Sequence, residues 1–336
     1  MIIFVLIFYD MINYFHRNIK AGYSINKVTQ TIIRKIRDKN EYYVPCNGAS
    51  LISILRNIAF VFKHREKKGV NHITGDIYYC ALALIGCKSV ITYHDTVALQ
   101  FNTYSPIKKK IIEFLWYRIP LKIATKVVCI SEETKRELQK YTKRKDLLVI
   151  HNAIDDIFEK TIPQWNDNSH IQNRVLLIGT KKNKNLIRTF EALDGLKCKV
   201  VIIGKLDEDQ LNSLKQHHID YENKIGLTDS ELFDEYKNCD IVSFISLFEG
   251  FGMIVVEANK VGRPVICSNI PVLQEVANDA ALLVDPCDVK QIRSGFLQLI
   301  NDDGLKKSLV IKGFENAKRF DSSEIYEKWM ELYKGF

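Results

Sequence analysis

Short β-branched apolar runs alternate with longer amphipathic stretches along most of the chain, and no other feature limits the fold as tightly. Regular exchange of strand-like and helix-like periods builds parallel βαβ units, whose strands are buried on both faces. In the first half the spacing predicts strands near 2–8, 89–93, 126–130 and 147–151. Helical patterns fall near 24–38, 51–63, 107–118 and 132–141. Ser131 is placed to cap the last of these, with Glu132 and Glu133 in its first turn. The apolar start, Met1 to Tyr9, reads as a buried strand. It lacks a basic flank, Asp10 cuts it short, and it is far below the roughly 20 residues that span a bilayer.

Periodicity fails from Asp155 to Gln172, where Pro163, Trp165, Asn166, Asp167, Asn168 and Ser169 read as a linker. It restarts with strands at 174–178, 199–203, 240–245, 264–267 and 281–284. Helices are expected at 186–194, 207–217, 229–237, 253–261, 288–300 and 304–318. A chain of 336 residues has room for two domains. The fold class is therefore α/β, two doubly wound lobes with a cleft between them. The lobes are expected at 1–160 and 161–318, with a terminal helix at 319–336 packing back toward the first.

Hydrophobic residues at 46% and charged residues at 26% exclude a disordered or fibrous chain. The net charge of +8 is unevenly spread: residues 1–160 carry 26 Lys/Arg against 14 Asp/Glu, residues 161–336 carry 22 against 26. Only the first half is suited to an anionic partner. The helical pattern over 51–68 joins Leu51, Ile54, Leu55, Ile58 and Phe62 to a basic end. It reads as a core helix with a solvated end, and its charge leaves open peripheral contact with an anionic membrane. No zinc, helix-turn-helix or RRM signature accompanies the charge, so nucleic acid is not an expected partner. Eight cysteines without metal-ligand spacing suit a reducing, cytoplasmic setting.

Ligands of doubly wound sheets bind beyond the carboxyl ends of the strands, which directs attention to three segments. After strand 240–245 comes Glu249-Gly250-Phe251-Gly252-Met253-Ile254, opening a helix that holds Glu257 one turn in and stops at Gly262 and Pro264. Glycines here permit close backbone approach, and the helix N-terminus favours a diphosphate. Helical side chains lean toward the N-terminus, so Glu257 can meet a ribose diol while Glu249 faces sugar hydroxyls. An ordinary turn with a solvated glutamate is the competing reading. After strand 174–178 comes Gly179-Thr180-Lys181-Lys182-Asn183-Lys184-Asn185, with Asn183 or Asn185 as a helix cap. Lysines at a helix start oppose the dipole unless an anion binds. After strand 89–93 comes His94-Asp95, either a ligand contact or a histidine satisfied by Asp95.

Glu249, which opens Glu-Gly-Phe-Gly, and Glu257, with seven residues between them, resemble the Glu-x7-Glu signature of family 4 retaining glycosyltransferases, which have the GT-B architecture. Gly262-Arg263-Pro264-Val265-Ile266-Cys267-Ser268-Asn269 and Ala280-Ala281-Leu282-Leu283-Val284-Asp285-Pro286 are similar to the same family. The resemblance implies that Lys184 stabilises the departing diphosphate and that His94 contacts the donor sugar. It places Gly179, Thr180, Lys181, Gly250, Phe251, Gly252, Met253, Ile254 and Glu257 against the donor, and Gly22 and Asp95 on the acceptor side. The family commonly has an arginine after the glycine, where Thr180 stands here. It further implies transfer of a hexose, GDP-mannose favoured over UDP-hexoses, to a glycan or polyprenyl-diphosphate-linked acceptor in cell-surface polysaccharide synthesis. No Asp-x-Asp stands beside the diphosphate site, so neither a metal nor any other cofactor is expected. Two alternatives are a nucleotide-sugar-binding protein without activity and a nicotinamide-dependent oxidoreductase. Against the latter, Val255 replaces the third glycine of its fingerprint and no acidic residue ends a following strand.

Overall fold

A computed structural model describes residues 11–21, 24–96, 105–159 and 173–336. The chain divides into two compact units, residues 1–153 with 322–336, and residues 154–321. Each unit holds a six-stranded sheet whose pairings are all parallel. In the first, β1 (Ile12–His16), β2 (Lys39–Tyr43), β3 (Val70–Ile73), β4 (Ser89–Tyr93), β5 (Lys126–Cys129) and β6 (Leu147–Val149) run in the order β2-β1-β3-β4-β5-β6. In the second, β7 (Asn173–Ile178), β8 (Cys198–Ile203), β9 (Tyr221–Lys224), β10 (Ile241–Phe244), β11 (Val265–Ser268) and β12 (Leu282–Val284) run β12-β11-β10-β7-β8-β9.

This order is that of doubly wound sheets. From β1 the chain steps outward to β2 and then crosses back to β3, so strand order reverses between β1 and β3. From β7 it steps through β8 to β9 and crosses back to β10, reversing between β7 and β10. The connections leaving the sheet at such a point diverge to opposite faces and open a crevice at the strands' carboxyl ends.

Both faces of the interior of the first sheet are covered. Tyr14, Val90 and Val128 pack into one layer, Phe15, Ile91, Val127 and Cys129 into the other. The C-terminal helix Ser322–Lys334 supplies Ile325, Trp329, Met330 and Tyr333 to the first of these layers. In the second unit Val175, Val200, Ile202 and Ile266 meet Phe190, Phe296 and Leu299 from the covering helices.

Differences from the sequence reading are local. The strand expected at 2–8 lies outside the described residues; the first described strand is Ile12–His16. Strands β2, β3 and β9 and the helix Pro271–Ala277 were not expected. The helical pattern over 107–118 resolves into an α-helix at Pro106–Ile112, a π-helical stretch at Glu113–Arg118 and a further helix at Ile119–Ile123. Ser131 caps its helix as expected, accepting a hydrogen bond from the Thr134 N–H. All eight cysteines are unpaired thiols.

Candidate active site

The second sheet's reversal point is bounded by the loop after β7 and the loop after β10. Backbone and side chain tie them together: the Leu247 N–H donates to the Asn183 carbonyl at 2.8 Å, and Asn183 Nδ2 donates to the Phe248 carbonyl at 3.2 Å. Across this seam Lys184 Nζ donates to Glu249 Oε1 at 2.7 Å, and Asn183 Nδ2 lies 3.3 Å from the same oxygen. The Lys184 ammonium also sits 4.4 Å from the centre of the Phe244 ring, at the last residue of β10. The two side chains are 17% and 14% exposed. A charge partly removed from water, between a carboxylate and a π-face, is preorganised and keeps an approach open to an anion.

Gly179 makes this seat possible. Its φ is +89°, and a Cβ there would stand 3.0 Å from Cε of Lys184 and 3.4 Å from Cγ. Gly179→Ala therefore forces either the backbone or the lysine to shift. We expect turnover to fall by roughly ten- to a hundredfold through a displaced ammonium. Steady-state kinetics beside a melting curve check this; unchanged turnover in a folded variant would detach activity from the lysine's seat.

The helix cap expected from asparagine is not formed. Asn185 occupies the N-cap position with φ +57°, but its Nδ2 donates to the Pro286 carbonyl and its Oδ1 accepts from Arg188. Asn183 is engaged with the β10 loop instead. Lys182–Lys184 form a 3-10 turn ahead of the helix Leu186–Leu193, so the lysines precede its N-terminus. Thr180 is fixed by donating to the Lys205 carbonyl at 2.6 Å, and its own carbonyl accepts from Gln210. Lys181 and Lys182 are exposed at the turn.

On the β10 side, Gly252 is the N-cap of Met253–Val261 with φ +110°. A Cβ there would stand 2.4 Å from Leu273 Cδ2, which leaves glycine alone able to close this turn. Phe251 is buried edge-on against Phe320 at 5.7 Å, while Gly250, Met253 and Ile254 are half-buried at the helix start. Glu257 accepts a hydrogen bond through Oε2 from the Tyr236 hydroxyl at 2.6 Å. Burial, then the charge of Glu257, hold the Tyr236 phenol well above its usual pKa, so it stays a donor. The structure thus brings Gly179, Asn183, Lys184, Phe244 and Glu249 into direct contact and orients Glu257 through Tyr236. Phe244 and Tyr236 were not singled out in the sequence. The position of Phe244 at a strand's carboxyl end was a usable signal; nothing in spacing marked Tyr236.

His94 and Asp95 belong to the first unit, and Gly22 lies outside the described residues. His94 is buried, with Nε2 at 2.8 Å from the Thr74 carbonyl. A carbonyl only accepts, so Nε2 carries the proton and Nδ1 is the acceptor in the neutral ring. Burial pushes its pKa down to about 4. Its ring N–H is committed to Thr74 rather than to Asp95, and the free ring nitrogen is one that receives a hydrogen bond.

A family model described as Glycosyl transferases group 1 matches residues 159–316, and one described as Glycosyltransferase Family 4 matches residues 37–157. The chain belongs to the family 4 glycosyltransferases. Its fold is GT-B, as in Anabaena HepE crystallised with UDP-glucose, which superposes with a TM-score of 0.77 at 15% identity over 97% of this chain and 100% of that one. The amylovoran biosynthesis glycosyltransferase AmsD of Erwinia amylovora is 23% identical over 74% of this chain and 71% of that protein. The O-antigen chain mannosyltransferase B of Escherichia coli is 38% identical over 26% of this chain, spanning 23% of that enzyme's length.

Proposed function

We propose that this family 4 member is a retaining glycosyltransferase that works without a metal and moves a hexose from a nucleotide diphosphate to a glycan or polyprenyl-diphosphate-linked acceptor. The carrying observation is the Lys184 ammonium held 2.7 Å from Glu249 at the second sheet's reversal point, next to the start of Met253–Val261. In this reading the diphosphate lies against Lys184 and the N–H groups after Gly252, with Thr180 and Lys181 lining the approach. Glu257, steadied by Tyr236, takes the ribose hydroxyls. Glu249 orients the lysine and reaches the sugar, and His94 Nδ1 accepts from a sugar hydroxyl. As the C1–O bond breaks, its electron pair passes to the phosphate oxygen and the acceptor oxygen bonds C1 from the same face. The acceptor proton goes to the departing phosphate.

Charge on the leaving group is met by a fixed ammonium and a helix terminus, an arrangement in which no metal is needed. Among the described residues no group of three or more His, Cys, Asp or Glu side chains is placed to hold a metal ion. Mannose is favoured by the names of the O-antigen relatives, and UDP-hexoses by the UDP-glucose of Anabaena HepE. Such relatives also support a role in cell-surface polysaccharide synthesis. Among the described residues no helix is long and apolar enough to cross a membrane. A cytoplasmic enzyme whose basic first unit touches the inner membrane face fits the charge distribution.

A thermal-shift panel of UDP, GDP and ADP tests the reading. A nucleotide at a hundred times its Kd adds about 2.7 kcal/mol, or roughly 5–10 °C for a unit of this size. GDP is expected to give the largest shift, with EDTA leaving shift and turnover unchanged. Stabilisation by UDP alone moves the donor assignment; stabilisation by none removes the transferase reading.

A further inference from the structure

The chain passes from the first unit to the second between residues 153 and 154 and returns between 321 and 322. Residues on the second unit's side of both crossings bear on the helix Met253–Val261, which opens at the candidate site. At the return, the Phe320 ring stands edge-on to Phe251 at 5.7 Å, and Asp321 Oδ1 accepts from Lys260 Nζ at 2.7 Å. At the outward crossing, the Ile154 N–H donates to the Phe320 carbonyl at 2.9 Å, which fastens the two segments to each other.

Phe158 follows one turn later, in the short helix Asp156–Glu159. The stretch from Asp155 reads as a linker in the sequence, yet Phe158 is only 1% exposed. Asp155 turns it inward: its Oδ1 accepts from the Ile157 N–H at 3.1 Å, and its carbonyl from the Phe158 N–H at 2.9 Å. The ring then meets two others on the helix Asp229–Asn238, Phe233 and Tyr236, each at 5.5 Å and close to perpendicular. Edge-to-face packing of this kind fixes the tilt of the rings it joins.

The tilt of Tyr236 matters because its hydroxyl donates to Glu257 Oε2 at 2.6 Å. A glutamate carboxylate ends a flexible stem, and holding one of its oxygens limits where the other can point. A shift of about 1 Å is enough to lose a directional contact. We propose that Phe158 is a positioning residue for donor recognition: by packing on Tyr236 it aims Glu257 at the ribose diol. The assignment rests on the donor reading above, in which Glu257 takes the ribose hydroxyls. It extends that site to the segment by which the chain enters the second unit. A ring that only filled the core would affect every ligand alike, whereas an aiming residue acts on the ribose selectively.

GDP and UDP are each titrated calorimetrically into the full-length protein beside their 2′,3′-dideoxy forms, which lack both ribose hydroxyls. For the nucleotide that binds, wild type is expected to favour the ribose form by roughly tenfold or more, through hydrogen bonds to a charged acceptor. In Phe158→Leu the preference is expected to shrink to about threefold or less, while the dideoxy form, held by its diphosphate, binds as it does to wild type. Tyr236→Phe is expected to do the same, and the double variant to do no more than Tyr236→Phe alone, because both changes act on one carboxylate. Phe296→Leu, the same change at another buried ring of this unit, is expected to keep the wild-type preference. Phe158→Met, which fills the space with a flexible chain, takes the place of the leucine variant if that one does not fold. A wild-type preference in either folded variant, or a double variant whose loss is the sum of the two, would overturn the proposal. Wild-type protein that binds both forms alike, or neither nucleotide, strikes the donor reading itself and this assignment with it.

Discussion

Lys184→Ala is expected to lower turnover by about 10²–10³-fold while the protein melts as wild type does. The ammonium is fixed by Glu249 and Phe244 before any substrate arrives, so it meets charge developing on the departing diphosphate without reorganising. Removing one such preorganised group typically costs about 3–4 kcal/mol of transition-state stabilisation. The effect belongs mainly in kcat, because helix N–H groups still hold the ground-state diphosphate. Glu249 keeps its contact with Asn183, so the carboxylate is not stranded. Arginine is not expected to rescue, because its planar fork cannot occupy the compact seat between carboxylate and ring. Glu257→Ala should also remove most turnover. It leaves the buried Tyr236 hydroxyl without this partner, at about 1–3 kcal/mol of stability, and Glu257→Gln separates that cost from the loss of ribose binding. Lys306→Ala, which removes a lysine paired with Asp303 one turn away in a helix apart from these loops, is the control. Near-wild-type kcat in folded Lys184→Ala would take the lysine out of the chemistry.

The second unit was far more legible than the first, for physical reasons. Strands β7, β8, β10, β11 and β12 are short runs of Val, Ile, Leu and Cys, because helices cover both faces of the interior of the sheet. Strand β9 escaped because it is an edge. Tyr221-Glu222-Asn223-Lys224 carries charges that keep the edge from pairing, and Glu222 meets Lys199 there at 2.7 Å. In the first unit β1 and β3 are fully buried yet read Ile-Asn-Tyr-Phe-His and Val-Asn-His-Ile. Their polar side chains survive burial through partners outside their own strands: Asn13 donates to the His64 carbonyl, and Asn71 donates to Glu66 and Lys88 carbonyls. No periodicity rule anticipates such partners. At the site, the residue types and their order along the chain were readable. The partnering was not, since the Lys184–Glu249 pair, the Asn183 seam and the Tyr236–Glu257 bond each need the reversal of strand order.

The same buried polar groups make the first unit sensitive to acid. From pH 7 to pH 5 its stability is expected to fall by about 4 kcal/mol. His72 lies inside a directed chain in which the Tyr14 hydroxyl donates to Tyr333 Oη at 3.0 Å, Tyr333 Oη faces His72 Nδ1 at 2.7 Å, and His72 Nε2 faces Thr92 Oγ1 at 2.7 Å. Tyr14 supplies a proton to Tyr333, which in turn donates to Nδ1, so the neutral ring donates from Nε2 to Thr92. A second proton on Nδ1 breaks that order and unfastens Tyr333, which belongs to the C-terminal helix. Burial, with the charges of His16 and His94 adding to it, pushes the His72 pKa down to about 3; burial pushes His94 down to about 4. In the unfolded chain both titrate near 6.5. Below that pH the unfolded chain takes up protons that the folded unit refuses, so stability drops as pH falls and levels off only near the folded values. At pH 5 each histidine contributes about 2 kcal/mol of loss, from 1.36 kcal/mol per pH unit. His16 is pushed the same way by burial, with Glu41 opposing at 3.5 Å, and is left out of that figure. Urea midpoints at pH 7 and pH 5 measure the effect in a Trp165→Phe background, where the remaining indoles, Trp116 and Trp329, both lie in the first unit. His72→Gln should remove about half of the pH dependence at some expense of stability at pH 7. A midpoint independent of pH in the parent protein would mean that both rings accept protons within the folded unit, which a buried His72 hydrogen-bonded at both ring nitrogens does not allow.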